Sequence, residues 1–245
     1  MRAVYVFSLL YWTFAVATMP LFFAGALAVF LATAAFDRRR SVLHIYSCGW
    51  ASFYIVMNPI WRLRVEGREK LPWRGPAVLV ANHLSLLDIL ALYGLFRPFK
   101  WVAKAELFKV PFVGWNMTIN DYVQLRRGRG DSIRRMMEHC RSHLARGMPV
   151  MLFPEGTRSR DGRMQAFKDG AFRLAADAGC PVIPIAIAGT FEGLPKQGLV
   201  RLRPARISVR VLDPISPADH PTPDALREEA RAAIAAALPA GNRPA

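Results

Sequence analysis

The sequence predicts an α/β fold with a mostly parallel central sheet flanked by helices, preceded by an N-terminal membrane-embedded hairpin of two helices. Three observations predict it. Residues 3–36 contain no charged side chain. Short runs rich in valine and isoleucine, typical of buried strands, alternate with stretches of helical period. Polar residues follow several of these runs directly, and open α/β sheets bind their ligands at the carboxyl ends of strands.

The N-terminal apolar segment is longer than the ~20 residues that cross a bilayer, and too long for a cleavable signal peptide. Pro20 is expected to kink it. A second apolar run, residues 42–61, follows Arg38, Arg39 and Arg40. If both runs crossed the bilayer, these arginines would lie away from the cytoplasm, against the usual charge bias. We therefore predict a membrane-anchoring hairpin over residues 1–61, embedded in the cytoplasmic leaflet. A single span followed by an interfacial helix is the alternative, and the uncharged run disfavours a third interpretation, two core helices of a soluble protein.

The composition indicates the kind of partner. The chain has 33 basic and 18 acidic residues, a formal net charge of +15. This excess predicts a polyanionic partner: a membrane surface, phosphates, an acidic protein or nucleic acid. Three scattered cysteines, an odd number, suggest a reducing compartment and no disulfide framework.

Residues 62–245 are predicted to form one α/β domain. Strands are expected at 62–66, 76–81, 99–103, 121–125, 149–153, 182–188 and 206–212, and helices at 86–96, from 131, at 167–178 and at 223–238. The segment after Gly193 is expected to be a peripheral addition to the sheet. The last residues, 239–245, are expected to be frayed.

The first candidate site follows the strand that ends near Ala81. Asn82 and His83 come directly after it, and Asp88 falls in the first turn of the next helix. A carboxylate bonded to one imidazole nitrogen fixes the tautomer, so the other nitrogen can act as a base. Since no nucleophile-elbow motif accompanies the pair, we expect the base to deprotonate a substrate hydroxyl. The alternative is a capping box formed by Ser85 and Asp88.

The second candidate site follows the strand that ends at Phe153. The loop there carries Glu155, Gly156, Thr157 and Arg158. Arginine binds phosphate oxygens in a bidentate manner, and glycine lets backbone amides approach a ligand closely. The loop is therefore suited to holding a phosphate; a hydrophilic surface loop is the alternative.

Two further signals are weaker. Lys168, where the helix expected at 167–178 begins, is a second candidate anion site, although a plain capped helix is the simpler interpretation. His139 and His143 are four residues apart on a predicted helix, but the H-E-x-x-H pattern is missing and no third ligand is evident. We therefore predict no metal site.

Together, the motifs Asn82-His83-x4-Asp88 and Phe153-Pro154-Glu155-Gly156-Thr157-Arg158-Ser159 resemble the signatures of the glycerolipid acyltransferase family, most closely the bacterial 1-acyl-sn-glycerol-3-phosphate acyltransferases. They occur in the family's order, about seventy residues apart. The resemblance covers about residues 65–190 and includes three lesser motifs: Val182-Ile183-Pro184-Ile185, Lys104-Ala105-Glu106-Leu107 and Phe167-Lys168-x-Gly170.

The resemblance implies a reaction and its partners. His83, held by Asp88, would deprotonate the sn-2 hydroxyl of lysophosphatidate, which would attack an acyl thioester and give phosphatidate (EC 2.3.1.51). The donor would be acyl-coenzyme A or acyl carrier protein, with no metal, no cofactor and no nucleic acid involved. The catalytic domain would face the cytoplasm at the inner membrane.

The resemblance also assigns the other site residues. The acceptor phosphate would be bound by Arg158, Lys104 and Arg126, and the site would be shaped by Asn82, Glu155, Gly156 and Thr157.

One departure from the family pattern concerns the acceptor. The family's second motif usually carries a glycine a few residues before its final arginine, and here Asn120 or Asp121 stands in that place before Arg126. Acyl transfer to another lysophospholipid or to an amino-acid lipid is therefore an alternative. An alternative of another class is a non-catalytic basic membrane protein that binds anionic ligands. This alternative leaves the pairing of His83 with Asp88 unexplained. It also predicts that ligand binding weakens steeply as the salt concentration rises.

Overall fold

The computed structural model describes residues 2–126, 128, 130–195 and 201–244, with side chains from Val4 onward. In this part of the chain seven strands form one sheet in the order β1-β7-β6-β2-β5-β3-β4. The strands are β1 Trp61–Glu66, β2 Val78–Ala81, β3 Lys100–Lys104, β4 Val123–Leu125, β5 Val150–Leu152, β6 Val182–Ala188 and β7 Ala205–Val211. Neighbouring strands are parallel except β6 and β7. The predicted mostly parallel α/β sheet is confirmed.

Helices cover both faces of the sheet. They are α1 Arg2–Thr33, α2 Ser41–Val56, α3 Leu87–Tyr93, α4 Val113–Ile119, α5 Gly130–Ala145, α6 Gly170–Ala178, α7 Thr190–Gly193 and α8 Pro223–Ala237. One apolar cluster joins α1, α2 and α3 to the sheet, and a second joins α5, α6 and α8 to its other face. Helix α1 continues through Pro20 as one helix, so the predicted kink does not divide it.

Helix α2 lies between α1 and the sheet. His44, Ser47 and Cys48 on α2 are fully or almost fully buried, and His44 Nδ1 is 2.7 Å from the Tyr122 hydroxyl. The apolar side chains of both helices belong to the same cluster as the sheet residues Leu79 and Ile183. The hairpin and the α/β domain therefore share a core, and the proposed boundary at residue 61 stays a prediction.

Helix α1 keeps one long apolar face uncovered. Among the described helices, α1 alone is long and apolar enough to cross a membrane. Its large exposed side chains are Tyr5, Val6, Leu9, Leu10, Val16, Leu21, Leu27 and Leu31.

Two expectations about the C-terminal part were wrong. Strand β7 lies inside the sheet, paired with β1 on one side and β6 on the other, and is no peripheral addition. Its side chains alternate in burial: Ile207, Val209 and Val211 are buried while the residues between them are exposed. A central strand with one uncovered face alternates as an edge strand does. The segment expected to be frayed is ordered through residue 244, with a short helical turn at Ala240–Asn242 and a buried Asn242; Ala245 lies outside the described residues.

Candidate active site

The histidine and the aspartate of the first motif form a hydrogen-bonded pair. His83 Nδ1 lies 2.8 Å from Asp88 Oδ2, and Asp88 is completely buried. The same carboxylate oxygen accepts the backbone N–H groups of Leu84 at 2.7 Å and Ser85 at 2.9 Å. An ionised carboxylate oxygen can only accept a hydrogen bond, so Nδ1 of His83 carries the proton that is donated to Asp88. In this tautomer of the neutral ring, Nε2 keeps its lone pair. The imidazole is therefore set to act as a base through Nε2.

The local sequence explains how His83 reaches this position. Strand β2 ends at Ala81, and the Asn82 side chain continues the pairing with β6 by exchanging two 2.8 Å hydrogen bonds with the backbone of Ile187. The Ser85 hydroxyl accepts the Leu87 N–H at 3.1 Å, where α3 begins. Asp88 thus makes the backbone contact of a capping box with Ser85 and also holds His83, while the role of the pair as a base stays a prediction.

The imidazole is packed as well as hydrogen-bonded. The ring of His83 stacks on Phe153 with centroids 3.9 Å apart and planes 12° apart, and Phe153 in turn lies 5.9 Å from Trp101. His83 is 9% exposed. This stacking fixes the plane of the imidazole ring and shields one face of it from water. The sequence placed Phe153 in a motif but gave no sign of this contact.

The loop of the second motif holds His83 by its backbone. We call residues 154–165 the EGTR loop. Glu155 Oε1 accepts the His83 N–H at 2.9 Å, and the Ser159 N–H donates to the His83 carbonyl at 2.8 Å. Gln165 donates to Glu155 Oε2 at 3.2 Å and to the Thr157 carbonyl at 3.4 Å. Glu155 therefore holds the backbone of His83 in place. The role of Gln165 was missed, because nothing in its sequence context marks it.

The EGTR loop also carries basic groups. Gly156 has φ 71°, a conformation that favours glycine, and a Cβ placed there would lie 3.1 Å from Lys168 Nζ. The predicted second anion site at Lys168 thus adjoins the first. Arg158, two residues further along the loop, is half-buried.

Lys104 and Arg126 lie farther along the same edge. They come at and just after the ends of β3 and β4, one and two strands beyond β5, which is roughly 5 and 10 Å along the edge. Lys104 is exposed, and the Arg126 N–H donates to Ser132 Oγ at 2.9 Å. The structure therefore brings the first motif and the EGTR loop into one cluster, with Lys104 and Arg126 beside it. Their predicted contacts with a phosphate stay predictions.

Comparison with known proteins assigns the family. A family model described as acyltransferase matches residues 62–188, which contain both motifs. The chain belongs to the acyltransferase family. It is 38% identical, over 93% of its length and 68% of the relative's, to a 1-acyl-sn-glycerol-3-phosphate acyltransferase of Chlamydomonas reinhardtii. It is 34% identical, over 73% of its length and 70% of the relative's, to a Pseudomonas aeruginosa protein of the same name.

Two further relatives complete the comparison. The chloroplastic 1-acyl-sn-glycerol-3-phosphate acyltransferase LPAT1 of Arabidopsis thaliana is 38% identical over 82% of this chain, which spans 55% of that protein. The crystal structure of the 1-acyl-sn-glycerophosphate (LPA) acyltransferase PlsC from Thermotoga maritima superimposes with a TM-score of 0.75 at 28% identity, covering 96% of this chain and 95% of that one. The predicted resemblance to this family is confirmed.

The structure explains the acyltransferase's missing second-motif glycine. Asp121 has φ 58°, in the left-handed region that glycine favours and that aspartate tolerates better than most residues. The backbone shape is therefore kept without glycine. Its carboxylate points to α5, where Oδ1 is 3.2 Å from His139 Nε2 and Oδ2 is 3.6 Å from the Arg146 guanidinium. These contacts tie β4 to α5.

The same contacts bear on the metal question. Asp121 supplies the third ligand type that the sequence did not reveal, and its ligand atoms lie within 4.8 Å of those of His139 and His143. However, Arg146 donates to His143 Nδ1 at 3.1 Å, so the proton is on Nε2, which donates to the Asp121 carbonyl at 2.9 Å. Both ring nitrogens of His143 are thus in use. The arrangement favours a set of hydrogen bonds that holds the segment before β4 against α5. The expectation of no metal stays a prediction.

Glu155 gives the acyltransferase a testable pH dependence. Burial raises the pKa of Glu155 from 4.5 to about 7, partly opposed by the His83 N–H bond. The folded state therefore binds this proton more tightly than the unfolded state. Its stabilising contribution is complete below pH 4.5 and is lost as the pH rises through 7.

Replacing Glu155 with glutamine should remove this dependence. Between pH 4.5 and 8 the free energy of unfolding of Glu155→Gln is expected to improve relative to wild type by up to about 3 kcal/mol. Thermal unfolding in detergent across this pH range measures the change as a shift in the Tm difference. Glu192→Gln, an exposed residue on α7, is the matched control. A Tm difference that does not change with pH would contradict the buried, protonated Glu155.

Proposed function

We propose that this acyltransferase transfers a fatty acyl group from an acyl thioester to the sn-2 hydroxyl of lysophosphatidate, giving phosphatidate for phospholipid synthesis. One observation carries the proposal. A histidine base paired with a buried aspartate is bonded, through both of its backbone groups, to the loop that carries Arg158. The base and the basic residues for an acidic acceptor thus form one unit at the carboxyl edge of the sheet. The names of the relatives support this choice of acceptor.

The chemistry needs one proton carrier. His83 Nε2 takes the proton of the sn-2 hydroxyl while its oxygen attacks the thioester carbonyl carbon. Asp88 stabilises the resulting imidazolium through Nδ1–H. The tetrahedral intermediate then expels the sulfur, the C–S bond breaks, and the thiolate takes the proton from His83 to leave as free thiol. The products are phosphatidate and the unloaded carrier, and His83 returns to its starting state without an acyl-enzyme.

The acceptor phosphate is proposed to lie against the EGTR loop. Arg158 offers the planar, bidentate donor that suits phosphate oxygens. Lys168, against Gly156, adds a second positive charge, while Lys104 and Arg126 lie one and two strands further along the edge. Acyl-coenzyme A or acyl carrier protein serves as the co-substrate, with no metal and no cofactor in the proposed reaction.

Replacing Arg158 with alanine tests the acceptor. Loss of a charged hydrogen bond to phosphate should raise the KM for lysophosphatidate roughly 10- to 100-fold and leave the donor KM within about twofold. The assay uses purified protein in vesicles with labelled acyl-coenzyme A or acyl carrier protein. Acceptors are lysophosphatidate, lysophosphatidylcholine and a lysolipid with an amino-acid headgroup.

Arg160, an exposed arginine on the same loop, provides the matched control as Arg160→Ala. If wild type prefers either of the other two lysolipids, lysophosphatidate is the wrong acceptor. If Arg158→Ala leaves the acceptor KM unchanged, the phosphate does not lie against the EGTR loop.

We also propose that α1 lies flat in one leaflet of the cytoplasmic membrane, with the catalytic domain facing the cytoplasm. Near its start, Ser8 Oγ accepts the Leu202 N–H at 3.0 Å. Beyond its end, Asp37 accepts the Ser41 and Val42 N–H groups, and Ser41 Oγ lies 3.7 Å from Met148 Sδ. With 32 residues, α1 is about 48 Å long. A helix that is held to the domain at both ends cannot span a bilayer. Helix α1 therefore lies parallel to the membrane plane, with its exposed face in contact with lipid.

Charges on that face should weaken membrane binding. Leu10 and Leu21 are 65% and 74% exposed, and burying each in lipid is worth about 1.5–3 kcal/mol. The double variant Leu10→Glu, Leu21→Glu is therefore expected to bind anionic phospholipid vesicles roughly 100-fold more weakly in co-sedimentation. Ala232→Glu with Ala236→Glu, exposed on α8 over the opposite face of the sheet, is the control. Wild-type sedimentation of the α1 variant would contradict this orientation.

A further inference from the structure

The C-terminal residues 239–242, which we call the C-terminal clasp, form hydrogen bonds with the EGTR loop. Asn242 Nδ2 donates to the Gly162 carbonyl at 2.9 Å, and the Asn242 carbonyl accepts the Met164 N–H at 3.0 Å. Asn242 is 6% exposed, and its own N–H donates to the Pro239 carbonyl at 2.9 Å, which closes the turn. The clasp lies outside residues 62–188, which the family model matches.

The far end of the EGTR loop borders a groove. An open groove of about 750 Å³ runs beside Asp161 and Gly162 and is bordered by Pro239, Gly241 and Asn242. Gly162 has φ 83°, and a Cβ there would lie 2.8 Å from the ring of Phe191. On the groove side, Phe191 and the clasp therefore hold this turn in place.

The turn is connected to the base by a short chain of hydrogen bonds. The Gly162 N–H donates to Ser159 Oγ at 2.9 Å, and Ser159 Oγ donates to Asp161 Oδ1 at 2.9 Å. The Ser159 N–H then donates to the His83 carbonyl at 2.8 Å. Arg158 directly precedes Ser159 in the chain. A shift of Gly162 is thus passed to Ser159, which is adjacent to Arg158 in the chain and bonds to His83. His83 is also held by Asp88 and Phe153.

We propose that Asn242 is a positioning residue for the acyl transfer: through Gly162 and Ser159 it fixes the part of the EGTR loop that presents Arg158 to the acceptor. This inference rests on the proposed function. Because His83 is also held by Asp88 and Phe153, loss of the clasp affects acceptor binding more than the chemical step. A purely structural role would instead lower the active fraction and leave the acceptor KM unchanged.

The test compares Asn242→Asp with wild type in two measurements. Aspartate has the size of asparagine and keeps the backbone bond to Met164, but it cannot donate to the Gly162 carbonyl. We expect amide exchange in residues 156–164 to quicken roughly tenfold, and the KM for lysophosphatidate to rise roughly tenfold with kcat within about threefold. Asn242→Ala is expected to show the same changes in amide exchange and in the KM for lysophosphatidate. Arg210→Gln, at an exposed residue on β7, should match wild type in both measurements.

The two measurements separate the clasp from the reaction. Exchange is measured on the protein without substrate, so an unchanged rate in residues 156–164 of Asn242→Asp would overturn the clasp whatever the acceptor. Faster exchange with an unchanged acceptor KM would overturn the positioning role. If wild type does not acylate lysophosphatidate, the proposed function fails, and the exchange measurement still decides whether Asn242 holds the loop.

Discussion

His83→Ala is expected to lower kcat roughly 10²- to 10⁴-fold, with the acceptor KM within a few-fold of wild type. In the proposed mechanism the imidazole takes the hydroxyl proton, whereas the EGTR loop holds the acceptor phosphate. The measurement is the initial rate of phosphatidate formation over a range of lysophosphatidate concentrations.

The structure indicates that this variant should fold. Glu155 and Ser159 bond to the backbone of His83, and these contacts survive loss of the ring. The stacking on Phe153 is lost, so a small decrease in Tm is expected. His220→Ala, remote from the site before α8, is the control for losing a histidine. A His83→Ala enzyme with near wild-type kcat would exclude His83 as the base.

Asp88→Asn is expected to lower kcat by a similar factor, roughly 10²–10⁴. One oxygen of Asp88 accepts from His83 Nδ1, Leu84 N and Ser85 N together. An amide oxygen in its place can keep all three bonds, so the imidazole is held but its positive charge is no longer stabilised. The measured loss should therefore fall on kcat and leave the acceptor KM near its wild-type value.

The same substitution should also lower stability. Asp88 Oδ1 is buried without a hydrogen-bond partner among the described residues, so the amide nitrogen that replaces it brings unsatisfied donors, at a cost of about 1–3 kcal/mol. Tm is measured alongside kcat, and rates are compared well below the Tm of the variant. A kcat within threefold of wild type would show that Asp88 only positions the backbone turn.

The pairing of His83 with Asp88 could be predicted because its contacts are local. His83 and Asp88 are five residues apart, and the change from an apolar run to a helical period places them at a strand end. The acyltransferase motifs then added the EGTR loop. What the pattern could not show was how the two motifs touch, since the bonds from Glu155 and Ser159 to the His83 backbone join distant parts of the chain.

The errors have the same origin. Strand β7 alternates because one face of the sheet is uncovered near it, and the sequence does not reveal that β7 pairs with both β1 and β6. Asn242 lies in a short polar tail after a helix, a context that usually frays, and only the fold brings it to Gly162.

The most direct test of the central claim is positional analysis of the product. Wild-type protein in vesicles is given 1-acyl lysophosphatidate and an acyl thioester with an isotopically labelled chain, and the product is analysed by mass spectrometry. The proposed mechanism predicts phosphatidate with the labelled chain at sn-2, formed by wild type and not by His83→Ala. No labelled phosphatidate from wild type, or equal product from His83→Ala, would contradict it.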